Sequence, residues 1–303
     1  MVGPVEPTPD PDGQVNASDY ASLAEAVASV SDNGTVIVNE DVVLEQPISI
    51  DGKNVALNLM GNTITAQTAF KMSGGTLELM NGTIDAMVDG VYAVASQAGS
   101  GRIVVGSDVT INAVECAVVA KGPITVDVNG TLVSTGGEYA PLTGNGNATS
   151  AGTVFNINEG AVIKSADIGI YFPQKGILNI NGGTVTGKTA VYVKGSEFNM
   201  TAGTLNGTGE AAEFVHGNNG ATATGDALVI ESSDYAGGAP VVSITGGKFV
   251  STNGKAVATY AQEGFEPANG FIKGGTFNTD PTELIADGYK VSKSGKQFKV
   301  VSA

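Results

Sequence analysis

A short module centred on glycine recurs along most of the chain. Each copy alternates apolar and polar residues, then has the glycine, then alternates again, as in Leu-Glu-Leu-Met-Asn-Gly82-Thr-Ile-Asp. Successive glycines lie 20 to 30 residues apart except for one interval of 44, which is either two periods or one coil with a long loop. This period, with strand-like alternation inside it, predicts an all-β solenoid. The copies centre on Gly61, Gly82, Gly106, Gly130, Gly160, Gly183, Gly203, Gly247 and Gly275.

A second apolar element recurs six times, each copy following a glycine module by about 8 to 14 residues. It predicts at least two strand faces per coil, with each strand pairing in parallel with its counterpart one coil further on. The repeat is unbroken, so we expect one elongated domain over residues 18–303. The segments carrying the second element are 90–94, 116–119, 169–172, 190–193, 211–215 and 256–260.

The two ends of the repeat have their own signals. Residues 1–17 are rich in proline and predict an extended arm, which serves either as a flexible linker or as an anchor on a partner. Residues 18–31 have helical apolar spacing, and Ser22 with Glu25 predicts a capping box on a helix that covers the first coil.

At the C-terminal end, residues 280–303 predict a second cap. Asp280 is a candidate N-cap, Glu283 the acid of its capping box and Gly288 the stop of a short helix. A hairpin over residues 289–300 follows, with lysines that discourage pairing with a further strand.

Charge and composition exclude several classes of function. The formal net charge of −15 disfavours binding to nucleic acid or to an anionic membrane surface. There is no run of 18 apolar residues, and residues 1–17 lack the features of a signal peptide. Cys116 is the only cysteine, so an internal disulfide is excluded. We expect its side chain to be buried and to pack as a small apolar group.

The glycine modules with a leading helix resemble the right-handed parallel β-helix of the pectin-lyase-like superfamily over about residues 18–280. The run 274–291, Gly-Gly-Thr-Phe-Asn-Thr-Asp-Pro-Thr-Glu-Leu-Ile-Ala-Asp-Gly-Tyr-Lys-Val, resembles the terminal unit of gut-bacterial surface proteins and of phage head-fibre or appendage proteins. The phage resemblance implies a homo-oligomer, and specifically a trimer.

Enzymes of that superfamily cleave acidic polysaccharides with Ca²⁺ and an arginine base or with grouped aspartates. The single arginine, Arg102, has no acidic cluster beside it in sequence, and Asn278-Thr-Asp280 lacks the other elements of a polygalacturonase site. His216, the only histidine, is expected in a surface loop. We therefore predict a protein that is not an enzyme and has no catalytic, cofactor or metal site, Ca²⁺ loops included.

These patterns predict a non-enzymatic virion surface protein, a phage head fibre or capsid-decoration protein. Residues 1–17 would bind the capsid, and the β-helix would attach to host or surface glycans. The alternative is a β-helical stalk or adhesion domain on a bacterial cell surface, with residues 1–17 as a linker. A polysaccharide lyase or hydrolase ranks third. Tyr92, Tyr171 and Tyr192 lie in strand modules, where packing is the expected role.

Overall fold

The computed structural model describes residues 13–96, 99–217, 220–235 and 238–303. The chain is all-β, with 49% strand and 6% helix, and winds as a parallel β-solenoid of about 8 turns. The predicted fold class is therefore confirmed. Residues 1–12 of the predicted arm lie outside the described residues, whereas Gln14–Asn16 form a strand that pairs in parallel with Gly34–Ile37.

Each coil contributes one strand to each of three sheets, numbered here in the order in which the chain visits them. Sheet 1 contains Gln14–Asn16, Gly34–Ile37, Asn54–Asn58, Gly75–Met80, Gly101–Val105, Ile124–Val128, Thr153–Ile157, Gly176–Ile180, Glu197–Met200 and Val241–Ile244. Sheet 2 contains Val42–Leu44, Thr63–Ala66, Gly82–Ala86, Val109–Ala113, Thr131–Ser134, Val162–Ser165, Thr184–Gly187, Thr204–Gly207, Lys248–Ser251, Thr276–Phe277, Tyr289–Ser294 and Gln297–Ser302. Sheet 3 contains Ile48–Ile50, Phe70–Met72, Asp89–Val94, Cys116–Lys121, Leu142–Thr143, Ile168–Phe172, Thr189–Lys194, Leu228–Ser232 and Val257–Ala261.

The glycine module spans the turn between sheet 1 and sheet 2, so its two alternations belong to different sheets. Gly183 occupies this turn with a φ of +70°, a conformation that residues with a Cβ rarely adopt. At the equivalent turn, a Cβ atom on Gly130 would lie 2.2 Å from the carbonyl oxygen of Gly106. The glycine therefore recurs for two reasons, a left-handed backbone conformation at some of these turns and close stacking of successive coils at others.

The inward positions of the sheets stack in register and form one continuous core. In sheet 2, Ile64 pairs with Ile84, Ile84 with Ile111 and Ile111 with Leu132, and all four are fully buried. Burying an aliphatic side chain of this size contributes about 1.5–3 kcal/mol. The alternation in the sequence is therefore the direct record of which side chains face the core.

Asparagines form a ladder along the outer face of sheet 1. The Asn156 amide donates to Asp127 at 2.7 Å, Asn179 to Asn156 at 2.9 Å and Asn199 to Asn179 at 3.1 Å. A parallel ladder at the turn joins Asn129, Asn158 and Asn181. Repeated Asn-x-Asn before the glycine is the sequence signal of these ladders, which satisfy side-chain amides between coils.

The N-terminal helix is shorter than the predicted span of 18–31 and covers Leu23–Ser29, after a 3-10 turn at Ala17–Asp19. One half of the predicted capping box is present, since Ser22 accepts from the Glu25 amide at 3.2 Å; the Glu25 carboxylate accepts from the amide of Ala21, one residue before the N-cap, at 3.2 Å. Lys53 donates to the carbonyls of Val27 and Ala28 and so neutralises the helix C-terminus.

The interval of 44 residues is one coil with a long loop, because Thr204–Gly207 pairs directly with Lys248–Ser251. The prediction of a strand at 211–215 is wrong. That segment lies in the loop 208–227, and Leu228–Ser232 supplies the sheet 3 strand of this coil instead. The segment 211–215 was mistaken for a strand because it is rich in apolar residues, although it does not pair in register with the neighbouring coils.

The prediction of a helix over 280–288 is wrong in length, because the structure has only a single 3-10 turn there, Thr282–Leu284. The other 3-10 turns among the described residues are Ala17–Asp19 and Ala148–Ser150. Asp280 still accepts from the Thr282 amide at 3.0 Å, so it caps a turn rather than a helix. The hairpin is confirmed, since Tyr289–Ser294 and Gln297–Ser302 pair antiparallel at the end of sheet 2. No helix among the described residues is long and apolar enough to cross a membrane.

Candidate functional site

The outer face of sheet 3 carries a set of neighbouring aromatic and charged side chains. Pairing places Tyr171 beside Tyr192 in one outward column and Lys194 beside Glu231 in the next. We call the strands from Ile48–Ile50 to Cys116–Lys121 the open half of this face. The strands from Ile168–Phe172 to Val257–Ala261 form the covered half, because the loop 208–227 packs on them.

The loop 208–227 is fastened by direct contacts with the covered half. Lys194 Nζ donates to the Gly217 carbonyl at 2.9 Å and to the Gly220 carbonyl at 2.8 Å. The Phe214 ring stacks on Tyr260 with centroids 4.3 Å apart and planes 3° from parallel. The loop is therefore held by both polar and aromatic contacts.

Glu231 is the centre of a buried polar group, the Glu231 cluster, which comprises Tyr192, Lys194, His216 and Glu231. Tyr192 donates its hydroxyl to Glu231 Oε2 at 2.6 Å, and Lys194 Nζ lies 3.3 Å from the same oxygen. His216 Nδ1 contacts the other oxygen, Oε1. Both carboxylate oxygens are thus engaged, as a buried acid requires.

Burial sets the electrostatics of this cluster. Desolvation lowers the pKa of Lys194, and the neighbouring Glu231 carboxylate opposes that shift. Desolvation raises the pKa of Tyr192, and Glu231 raises it further by favouring the hydroxyl that donates to it. Lys194 and Glu231 have no exposed side-chain surface. The cluster therefore fastens the loop and presents neither charge to a solute.

The end of the loop is anchored at Asp226, which is also buried. Its carboxylate accepts from the Thr224 hydroxyl at 2.6 Å, from the Tyr260 hydroxyl at 2.9 Å and from the Lys255 amide at 2.6 Å. Desolvation, followed by the charge of Asp226, raises the pKa of Tyr260. The loop is consequently tied down at both its middle and its end.

The open half carries a groove of about 770 Å³ instead of a loop. Lys121 donates to the Tyr92 hydroxyl at 2.7 Å and lies 4.7 Å from the centre of its ring. Val94 is 44% exposed. The groove is lined by Asp51, Ser73, Tyr92, Val94, Ala95, Ser96, Lys121, Asn145, Asn147, Thr149 and Ser150, and it adjoins a smaller depression that includes Lys71.

One wall of the groove is an ordered turn. Asn147 accepts from the Thr149 amide at 2.7 Å, and Asn145 accepts from the Asn147 amide at 3.0 Å. A Cβ atom on Gly146 would overlap the Tyr235 ring, so this turn packs against the segment that follows the strand Leu228–Ser232 of the covered half. The groove ends where the covered half begins.

The residues considered from sequence as catalytic candidates do not converge. Arg102 pairs with Asp127 on the outer face of sheet 1, with Nη2 and Oδ2 2.8 Å apart. Asp280 caps the C-terminal turn. His216 lies in a loop as predicted; its side chain is 21% exposed and contacts Glu231, a contact that the sequence did not indicate. The loop folds back on the sheet, which residue type alone did not indicate.

Cys116 is buried, as predicted, and burial with the nearby acids Asp89 and Glu115 raises its pKa to about 12.

The tyrosines divide between the two halves: Tyr192 is buried, Tyr171 donates to the Gly220 carbonyl at 3.1 Å, and Tyr92 lines the groove. Among residues 13–96, 99–217, 220–235 and 238–303, no group of three or more His, Cys, Asp or Glu could hold a metal ion.

Sequence reasoning missed Lys194 and Glu231. Both are charges within apolar strand segments, Val-Tyr-Val-Lys194 and Val-Ile-Glu231. Matching these two strands in register would have paired them, but the misplaced strand at 211–215 hid that register.

No family model, curated protein or solved structure matches the chain. The parallel β-solenoid rests on its own strand pairing, and the relation to pectin-lyase-like and phage proteins stays a prediction from the sequence pattern.

Proposed function

We propose that this protein is a non-enzymatic virion surface protein, a head fibre or capsid-decoration protein, that attaches to glycans through the groove of the open half. The observation that carries the proposal is the contrast on sheet 3: one half is sealed by its own loop, whereas the other presents a groove with an aromatic ring and amide side chains. Residues 1–17 provide attachment to the capsid.

The groove has the chemistry of a carbohydrate site. Tyr92 supplies part of a ring face, and Asn145 and Asn147 supply side-chain NH2 groups that can donate to sugar hydroxyls, while their oxygens hold the turn. Lys121 adds a cation in a chain of net charge −15, which favours glycans that carry acidic groups.

The absence of enzymatic activity is part of the proposal. Arg102, Asp280 and His216 are each engaged in a separate structural contact, and none lines the groove; Arg102 lines a neighbouring depression that shares Asp51 and Ser73 with it. Incubation with acidic and neutral polysaccharides should yield no new reducing or unsaturated ends. Turnover that disappears in Arg102→Ala would refute the proposal.

Glycan-array binding tests the groove. Tyr92→Ala should lower binding about tenfold or more, because removing a stacking aromatic costs on the order of 1.5 kcal/mol. Tyr139→Ala is the matched control, since Tyr139 is 39% exposed and lies outside the groove. Equal loss in both variants, or unchanged binding in Tyr92→Ala, would contradict a glycan site here.

Immunogold labelling of purified particles tests localisation. Label on virions supports the proposal, whereas label on the bacterial envelope supports the alternative, a stalk or adhesion domain. The alternative is favoured by Pro4, Pro7, Pro9 and Pro11, whose spacing also suits a linker between domains. The proposed trimer is tested by light scattering after size exclusion, where the mass of a monomer would exclude it.

A further inference from the structure

The chain contains nine Asn-Gly pairs, and those within the described residues differ in how firmly they are held. In such a pair the glycine nitrogen can attack the asparagine side chain, since glycine places no Cβ in the way. The reaction requires the side-chain amide and the glycine nitrogen to leave their other partners. The pairs begin at Asn33, Asn81, Asn129, Asn145, Asn181, Asn206, Asn219, Asn253 and Asn269.

Two pairs, at Asn181 and Asn253, are held on both sides. The Asn181 amide donates to Asn158 Oδ1 at 3.2 Å, and the Gly182 nitrogen donates to the Ile157 carbonyl at 3.2 Å. The Asn253 amide donates to the Gly209 carbonyl at 3.1 Å, and the Gly254 nitrogen donates to Ser251 Oγ at 2.7 Å. Both groups would have to break a hydrogen bond before reacting.

Asn269-Gly270 has the opposite arrangement. Both residues are exposed, in the stretch between the last strand of sheet 3 and Phe271. The Gly270 nitrogen donates to Asn269 Oδ1 itself, at 2.7 Å, so the side chain already lies over the nitrogen that would attack it. Gly270 has a φ of +67°, and a Cβ placed on it would meet nothing within 4 Å. Packing therefore does not lock this backbone.

We propose that Asn269 is a site of spontaneous deamidation in the folded protein, with water as the only co-reactant. The Gly270 nitrogen gives its proton to water and forms a bond to Asn269 Cγ. The bond from Cγ to Nδ2 breaks, and ammonia leaves with the proton, which produces a succinimide. Water then opens either carbonyl and yields aspartate or isoaspartate, with no change of oxidation state.

The modification acts on the last rung of the solenoid. The amides of Phe271 and Ile272 both donate to the Leu284 carbonyl at 3.1 Å, and Ile272 bridges Ile244 and Ile285. Isoaspartate inserts one more carbon into the main chain two residues before this contact. Deamidation at Asn269 therefore loosens the C-terminal closure of sheet 1 while leaving the inner coils unchanged.

Ageing of the full chain at mildly alkaline pH, followed by peptide mapping with mass spectrometry, tests the proposal. Conversion at Asn269 should exceed that at Asn181 and Asn253 by at least about tenfold, since each of those pairs must break two hydrogen bonds of roughly 1 kcal/mol. A free peptide of sequence Pro-Ala-Asn-Gly-Phe sets the rate without a fold. The proposal is overturned if the fold slows Asn269, relative to the free peptide, more than it slows Asn181 and Asn253. It is also overturned if Asn181 and Asn269 convert at equal rates.

A second measurement separates the modification from its structural effect. Hydrogen exchange at the Ala286 amide, which donates to the Ile272 carbonyl at 2.9 Å, should become faster as isoaspartate accumulates. Asn269→Gln should abolish both the conversion and the change in exchange. Asn181→Gln is the matched control and should leave both in place. Faster exchange in aged Asn269→Gln would overturn the link to the C-terminal closure.

Discussion

The two halves of sheet 3 present tyrosines and lysines on the same face of the same solenoid, yet they use them differently. In the covered half, Lys194 is fully buried and donates to two carbonyls of the loop 208–227. In the open half, Lys121 donates to a tyrosine at the rim of a groove. A solenoid thus specialises one face by inserting residues into a single coil, while the register of every other coil is kept.

The largest effect should come from removing Glu231. Glu231→Ala leaves the Lys194 charge buried without its carboxylate, which costs about 3–5 kcal/mol of the free energy of unfolding. Urea denaturation measures this loss, and protease cleavage within 208–227 should accelerate in parallel. Glu78→Ala, an exposed glutamate on sheet 1, is the control and should change stability by less than about 0.5 kcal/mol. A loss below that of the control would mean that the cluster does not hold the loop.

A matched pair of tyrosine variants sharpens the contrast between the halves. Tyr192→Phe removes a hydroxyl that donates to a buried carboxylate at 2.6 Å, and it should cost about 1–3 kcal/mol. Tyr92→Phe removes only a partly exposed contact with Lys121 and should cost less than about 1 kcal/mol. Thermal unfolding of both variants checks this, and equal losses would remove the distinction between the covered and the open half.

Asp89 makes the open half sensitive to pH. Burial, followed by repulsion from Glu115, raises the pKa of Asp89 to about 6 from an ordinary value of 3.8. Between these values the folded chain binds more protons than the unfolded chain, so this group's stabilisation is present below pH 3.8 and is lost as the pH rises through about 6. In Asp89→Asn, the free energy of unfolding should fall less over that window than in the natural chain. Parallel pH profiles for the two proteins would contradict the assignment.

The smallest effect is expected away from sheet 3. Arg102 is 59% exposed where it pairs with Asp127, so Arg102→Ala should lower the free energy of unfolding by less than about 1 kcal/mol. A larger loss of unfolding free energy in urea denaturation would mean that a substitution on an exposed outer face can destabilise the protein as much as one beneath the loop 208–227. High salt should erase even the small difference.

Much of the fold could be predicted because the solenoid repeats its own signals. Glycine spacing marked the turns between sheets 1 and 2, and apolar alternation marked core positions such as Ile84 and Ile111. The loop could not be predicted in this way. Phe214 lies in an apolar segment that imitates a strand, and its actual partner, Tyr260, is found only after the loop folds back.

The candidate sites were predicted less well than the fold. Cys116 was placed correctly, because a lone small apolar residue in a strand has few alternatives. The contact of His216 with Glu231 was not predicted, and Lys194 and Glu231 were missed, since a charge within a strand shows its role only when its partner's position is known.

The sequence by itself determined the coil, its period and the side chains that fill it, because these depend on short-range alternation and on the places where only glycine fits. The tertiary structure alone decided which half of sheet 3 is sealed. That outcome depends on contacts between residues far apart in the chain, such as Tyr192 with Glu231 and Lys194 with Gly217, whose strength comes from being buried together.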